Sequence, residues 1–342
     1  MELAIITEKA AISHYKVAQD IYNTIRGQVE CSLCDWEEKA IPEKNILFVG
    51  TLFTNTLHYL SRFTGKNIVF YTTLEGEPLV DPIGRKIASK IKIVAVSRFV
   101  KEMLERADLN CEGVVYHGID MAKTQHDPRF TEFLETIENP KNEPNIRKRK
   151  YLTVSGNMER KGLDKLIVAH KIVEYNHPSA ILILHTGGGY VDITRMADAL
   201  QLEPERFWYT NSFGLYDEYQ MNSLYRYADF YVQPSHTEGF GLPMIEALKH
   251  NKPVIAIDAP PYNEIIENGK TGILIPVKGQ KRQLYMNSIY LLMRLYEVDD
   301  LARAIEALLD DKLRKSLAQN ITPQVKAKFD SKNTYPNLLK YF

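Results

Sequence analysis

The chain has 342 residues, 44% of them hydrophobic and 25% charged, which exceeds the usual size of one domain and is enough to bury two α/β cores. Lysine plus arginine equals aspartate plus glutamate at 43 each, so no overall field selects nucleic acid or an anionic membrane as a partner. Three cysteines make no disulfide framework, no apolar run approaches the roughly 20 residues that span a bilayer, and the opening MELAIITEKA has no charged-then-apolar leader, so the expected location is cytoplasmic.

Short β-rich runs alternate with helical spans through the first half: LAIIT, NILFVG, NIVFYTT, KIVAVS and GVVYHG. Between them SRFVKEMLERA has apolar positions at helical spacing and Ser97 at the expected N-cap. Cys31 and Cys34 form a CxxC, but no second pair completes a zinc site, and they read as two ordinary thiols near a strand. This βαβ rhythm predicts a mainly parallel sheet over residues 1–145.

The stretch 138–150, ENPKNEPNIRKRK, has little to bury and reads as a connector. The rhythm then restarts with YLTVSG, SAILILHTGGG, RFWYTN, ADFYVQPS, PVIAIDA and TGILIPV, predicting a second parallel-sheet domain over 146–324. Residues 280–298 carry apolar positions too dense for a solvated helix; packing on their own domain, an oligomer contact or a membrane-facing helix would each account for them. The helix DDLARAIEALLDD follows, and 325–342 reads as a closing helix returning to the first domain.

Two such domains leave a cleft, and open α/β sheets bind ligands beyond the carboxyl ends of their strands. After YLTVSG, Arg160 and Lys161 precede Gly162 and an amphipathic helix, which suits a phosphate grip, although a lone charged turn is more often merely solvated. In TEGFGLPMIEALK the glycines let the backbone approach a ligand, and the N–H groups of Phe240, Gly241 and Leu242 open a helix near Pro243. Glu246 lies about a turn into that helix and suits a vicinal diol; Glu238 precedes the turn and suits a sugar hydroxyl. Read singly, Glu246 is a first-turn acid and Glu238 a cap.

Taken together, EGFGLPMIE with seven residues between its two glutamates, the following EALKHNKPVIAIDAPPYNEIIENGKTGILIPV, VSGNMERKGLDKLIVAH, AVSRFVKEML with VYHGID, and LYRYADFYVQPS make a specific set. In these residues the chain resembles retaining nucleotide-sugar glycosyltransferases of family 4 (glycosyl transferases group 1), which have the GT-B fold. The likeness covers nearly all of the second domain and the last third of the first.

The resemblance implies two Rossmann-like α/β domains facing across a cleft and a metal-independent hexosyltransferase with no cofactor. Its donor would be a UDP- or GDP-linked sugar, and its acceptor a glycan, a lipid-linked molecule or a protein. It implies Lys161 with Arg160 at the donor diphosphate, Glu238 at the sugar, and Gly156, Asn157, Gly239, Phe240, Gly241 and Leu242 around sugar and phosphate. Glu246 would hold the ribose, and Thr210 and Ser212 would lie near the base. Asn157 stands where the family often has an arginine, and Tyr71 where it has a first-domain histidine. Glu75 and Glu77 join Tyr71 as acceptor-side candidates, whereas His14, His58 and His117 read as structural. A homo-oligomer and a peripheral contact at the inner membrane face are compatible with this reading. So are two alternatives: a nucleotide-sugar epimerase and a non-catalytic sugar-nucleotide binder.

Overall fold

A computed structural model describes residues 1–38, 40–138 and 148–342. Strands β1 (Glu2–Thr7), β2 (Glu30–Asp35), β3 (Asn45–Thr51), β4 (Asn67–Thr73), β5 (Gly76–Pro78), β6 (Lys92–Ala95) and β7 (Gly113–Val114) come from the first part of the chain. All but β5 form one parallel sheet in the order β2-β1-β3-β4-β6-β7. The helix Ile12–Ile25 covers β1 and β3 through Val17, Ala18, Ile21 and Ile25. Leu3, Ala4, Ile5 and Ile6 in succession are fully buried, as befits a sheet with both faces covered. The Ser97 cap forms: its hydroxyl accepts from the Val100 amide at 3.1 Å and starts the helix Arg98–Arg106.

Strands β8 (Arg149–Val154), β9 (Ala180–His185), β10 (Phe207–Tyr209), β11 (Phe230–Val232), β12 (Val254–Ile257) and β13 (Gly272–Ile275) form a second parallel sheet, ordered β10-β9-β8-β11-β12-β13. Of the expected connector 138–150, residues 139–147 lie outside the described residues, and Arg149 and Lys150 already belong to β8. Strand order reverses between β1 and β3 in one sheet and between β8 and β11 in the other. At such switch points the flanking connections leave in opposite directions, which opens a crevice at the strand carboxyl ends. Residues after β8 and after β11 therefore meet there.

The apolar segment 280–298 differs from the helical expectation. It is a hairpin, β14 (Gly279–Tyr285) and β15 (Ile289–Leu295), whose second strand pairs antiparallel with β5. Its apolar density is accounted for inside the chain, since Ile289, Leu291, Leu292 and Met293 are all buried. The turn holds Met286 and Asn287 at φ +50°, a left-handed conformation usually signalled by Asn-Gly, which this turn lacks. The hairpin straps the second half of the chain to the first, and a Cβ on Gly76 would lie 2.0 Å from the Tyr290 carbonyl oxygen. Gly76→Val is expected to cost about 1–3 kcal/mol of stability; a thermal melt unchanged from wild type would show that this edge yields freely.

The closing segment is likewise not one helix. It divides into Pro323–Ala327, Ser331–Thr334 and a 3-10 stretch Tyr335–Tyr341, broken where the Asp330 side chain caps the second piece and Pro336 enters the third. It lies against the first sheet, where Lys92 Nζ donates to the Tyr341 carbonyl at 2.5 Å and the Ile119 amide to that of Phe329 at 3.0 Å. Among the described residues no helix is long and apolar enough to cross a membrane. Cys31 and Cys34 lie on β2 itself, and both thiols are free.

Candidate functional site

The loop after β8 is shaped by Gly162, at φ +63°, where a Cβ would sit 2.4 Å from the Pro234 carbonyl oxygen. Only glycine fits so close to the loop that follows β11, and this approach places the 3-10 turn Glu159–Lys161 beside Glu238. Lys161 Nζ donates to Glu238 Oε1 at 2.6 Å, and Arg160 Nη1 donates to Glu238 Oε2 at 3.2 Å. Arg160 Nη2 also reaches Glu75 Oε1 of the first half at 2.7 Å. Gln233 Nε2 adds a donor to Glu238 Oε1 at 3.1 Å.

Two cations and two carboxylates are thus locked together, with Glu238 only 7% exposed. Burial works to raise the Glu238 pKa, but the charges of Lys161 and Arg160 outweigh it and hold the carboxyl below its ordinary range. Burial and the neighbouring Arg160 push the Lys161 ammonium down. Of the roughly four lone-pair positions on a carboxylate, three on Glu238 are engaged by Lys161, Arg160 and Gln233, and the Ser235 side chain is a further hydrogen-bond partner that helps hold the carboxyl down. The glutamate therefore orients the cations.

Gly239 lines the cleft and also packs closely on the first half of the chain. A Cβ there would meet Thr73 Oγ1 of the first half at 2.0 Å, and the Gly239 carbonyl accepts from Ser97 Oγ at 2.7 Å. Gly241, at φ +100°, is the N-cap of the helix Leu242–Lys249, with Pro243 in its first turn. The positive end of that helix faces the cleft. Farther along it, Glu246 Oε2 accepts from Tyr225 Oη at 2.8 Å, and Oε1 is paired with Lys16 Nζ from the helix Ile12–Ile25. Burial favours the protonated carboxyl, but Lys16 overrides it and holds the Glu246 pKa down.

Gly156, Arg160, Lys161, Glu238, Gly239, Phe240, Gly241, Leu242, Glu246 and Glu75 all line one cleft of about 1170 Å³. Other sequence-selected residues do not. Asn157 is spent on the loop after β9, its Nδ2 donating to the carbonyls of Gly187 and Val191 and its Oδ1 accepting from the Val191 amide. Tyr71 is buried behind the cleft wall, with its hydroxyl donating to the Val115 carbonyl at 2.8 Å. Glu77 turns toward the strap and pairs with Arg282 at 3.0 Å. Thr210 bonds His185 Nδ1 at 2.9 Å, and Ser212 bonds the Thr210 carbonyl, so Phe213, Gly214, Tyr216 and His185 form that part of the wall instead.

His14 and His117 also line the cleft, whereas His58 pairs with Asp81 outside it. His117 Nδ1 lies 3.0 Å from Tyr71 Oη, whose proton is committed to Val115, so Nδ1 is the protonated nitrogen and Nε2 the acceptor. Burial, aided by nearby His14, takes the His117 pKa down to about 3, so the ring stays neutral. His117 thus enters the cleft from the loop after β7 while Tyr71 on β4 orients it, a pairing that nothing in either local sequence signals. Lys16 went unnoticed because its partner is 230 residues away. Among the described residues no group of three or more His, Cys, Asp and Glu is placed to hold a metal ion.

Residues 135–292 match the family model described as glycosyl transferases group 1. Over this stretch the chain is similar to group 1 glycosyltransferase domains. Over its full length the chain is similar to the uncharacterized glycosyltransferase 335 of Sulfolobus islandicus rod-shaped virus 1, at 24% identity covering 99% of this chain and 100% of the relative. A shorter match, 46% identical over 50 residues, joins 15% of this chain to 14% of the O-antigen chain mannosyltransferase RfbU of Salmonella typhimurium. Among solved structures, Anabaena HepE in complex with UDP-glucose superposes with a TM-score of 0.73 at 16% identity, covering all of both chains. The sucrose-phosphate synthase of Thermosynechococcus elongatus gives 0.73 at 15%, covering 99% of this chain and 98% of that one. The α/β fold, with two parallel sheets facing a cleft, is that of these GT-B neighbours.

Proposed function

We propose that the protein transfers a hexose-type sugar from a UDP-linked donor to an acceptor with retention of anomeric configuration and without a metal ion. The observation that carries this reading is the meeting of Arg160, Lys161, Glu238 and the helix start at Gly241 at the β8/β11 switch point, within the matched domain. UDP is favoured over GDP because HepE, similar over its whole length, was solved with UDP-glucose.

In this reading the diphosphate lies against Lys161, Arg160 and the amides that open the helix Leu242–Lys249. The ribose lies at Glu246, the base near Phe213 and Tyr216, and the sugar beneath Phe240 and His117. Departure of the nucleoside diphosphate leaves about two negative charges to stabilise. One ammonium near 4 Å contributes on the order of 4 kcal/mol at an effective dielectric near 20. As the bond from the anomeric carbon to the phosphate oxygen breaks, the acceptor oxygen bonds the same face of that carbon, and its proton passes to the departing phosphate. No protein base is required for this step. His117, held neutral, offers Nε2 as an acceptor for a sugar hydroxyl.

Screening UDP-, GDP- and ADP-sugars by thermal shift tests the donor assignment: saturation at ~100 times the dissociation constant should stabilise by about 2.7 kcal/mol, greatest for a UDP-sugar. Stabilisation by none of the three would refute the reading. Because the cations and helix start serve the diphosphate, activity is expected to persist in EDTA. Loss on chelation with recovery in magnesium or manganese would show that the diphosphate is held differently.

A further inference from the structure

Lys16 belongs to none of the motifs that carry the family likeness, yet its ammonium crosses the cleft from the helix Ile12–Ile25 to Glu246 on the opposite half. Glu246 is anchored twice, by Lys16 on Oε1 and by Tyr225 Oη on Oε2 at 2.8 Å. A carboxylate offers roughly four lone-pair positions, so these two anchors leave one on each oxygen. That is one acceptor for each hydroxyl of a vicinal diol, with the carboxylate plane fixed by a partner on either side. The Lys16 side chain is 48% exposed and that of Glu246 17%, so the lysine reaches in from the rim while the glutamate sits deep in the wall.

Resting on the reading of Glu246 as the ribose acid, we propose that Lys16 is a positioning residue for nucleotide binding. It aims the Glu246 carboxylate at the ribose diol from the other half of the molecule, and so makes donor affinity depend on the first half. The surroundings fit this role better than a surface pair. Lys249, whose side chain is 6% exposed, turns instead toward Glu218 at 3.8 Å, and Lys123 is also paired with Glu218. Among the described residues Lys16 is therefore the cation paired with Glu246.

The two halves are already held at fixed separation near this point. Gly239 abuts Thr73, and Ser97 Oγ bonds the Gly239 carbonyl. An ammonium crossing a gap set in this way can fix a carboxylate's direction without closing a hinge.

The test is calorimetric titration of UDP and of 2′,3′-dideoxyuridine diphosphate into wild type, Lys16→Met and Lys16→Arg. UDP affinity should fall about tenfold in Lys16→Met, the scale of a weakened charge-assisted hydrogen bond, and largely recover in Lys16→Arg. The dideoxy nucleotide should bind wild type and Lys16→Met alike, since it has no diol for Glu246 to receive. Equal losses for both nucleotides would reduce Lys16 to a general support of the cleft. Unchanged or tighter UDP binding in Lys16→Met would make it a latch that competes with the ribose; either result overturns the proposal while leaving the donor reading intact. A wild type that binds neither nucleotide overturns both.

Discussion

Lys161→Ala is expected to lower turnover at saturating donor by on the order of 100-fold or more, with a smaller loss of donor affinity. The ammonium neutralises charge that grows as the diphosphate departs, so its interaction is stronger in the transition state than in the ground state. The structure adds a second consequence. Alanine here leaves the buried Glu238 carboxylate without its ammonium partner, with Arg160, Gln233 and Ser235 still beside it, and removing one partner of a buried pair is itself destabilising. Lys161→Gln, which keeps a donor within reach of Glu238, separates the two effects: it should fold more stably than the alanine variant yet show a similar loss of turnover. Arg160→Ala should cost less in turnover, because part of its guanidinium is occupied by Glu75. Steady-state rates with a thermal melt for each variant decide the matter, and undiminished turnover in Lys161→Ala would remove the lysine from the chemistry.

The second large effect separates the two glutamates of the EGFGLPMIE stretch. Hydrogen bonds to a charged group contribute about 1.5–3 kcal/mol, so Glu246→Gln should weaken UDP and UDP-sugar alike, by roughly 10- to 150-fold. Glu238→Gln should behave otherwise. Its carboxylate orients Lys161 and Arg160 and is assigned to the sugar, so bare UDP should bind near wild type while binding or transfer of the intact donor falls. Calorimetry with both ligands on both variants reads this out. Equal losses for the two ligands in Glu238→Gln, or none in Glu246→Gln, would return that glutamate to the role of a cap or dipole partner.

Much of this site was legible because its elements are local. A strand, a Gly-rich turn and a helix with Pro243 in its first turn have sequence signatures, and the alternating pattern puts such turns at the carboxyl ends of parallel strands. Less could be read where the cause is distant in the chain. The hairpin of β14 and β15 has no local signal because its turn uses Met286 and Asn287 in place of Asn-Gly, and because β15 is apolar on successive positions rather than alternating. β5 is three residues long and exists only through its pairing with that hairpin. Asn157 was assigned to the donor by position in a motif, whereas its side chain is consumed by the Gly187 and Val191 carbonyls. Gly239 lines the cleft as its motif suggests, but its close approach to Thr73 of the first half has no local signal. Tyr71 and His117 illustrate the same limit, since a side chain on one strand orients a ring from the loop after another.

The most direct test of the account is a proton NMR time course of the wild-type protein with UDP-glucose, UDP-N-acetylglucosamine and GDP-mannose together, in EDTA. The account predicts that a UDP-sugar is consumed with release of UDP, and that the first anomeric signal of the product, a glycoside or the free sugar formed with water as acceptor, has the configuration of the donor. Appearance of the opposite anomer first, or an isomerised donor with no UDP released, would contradict it.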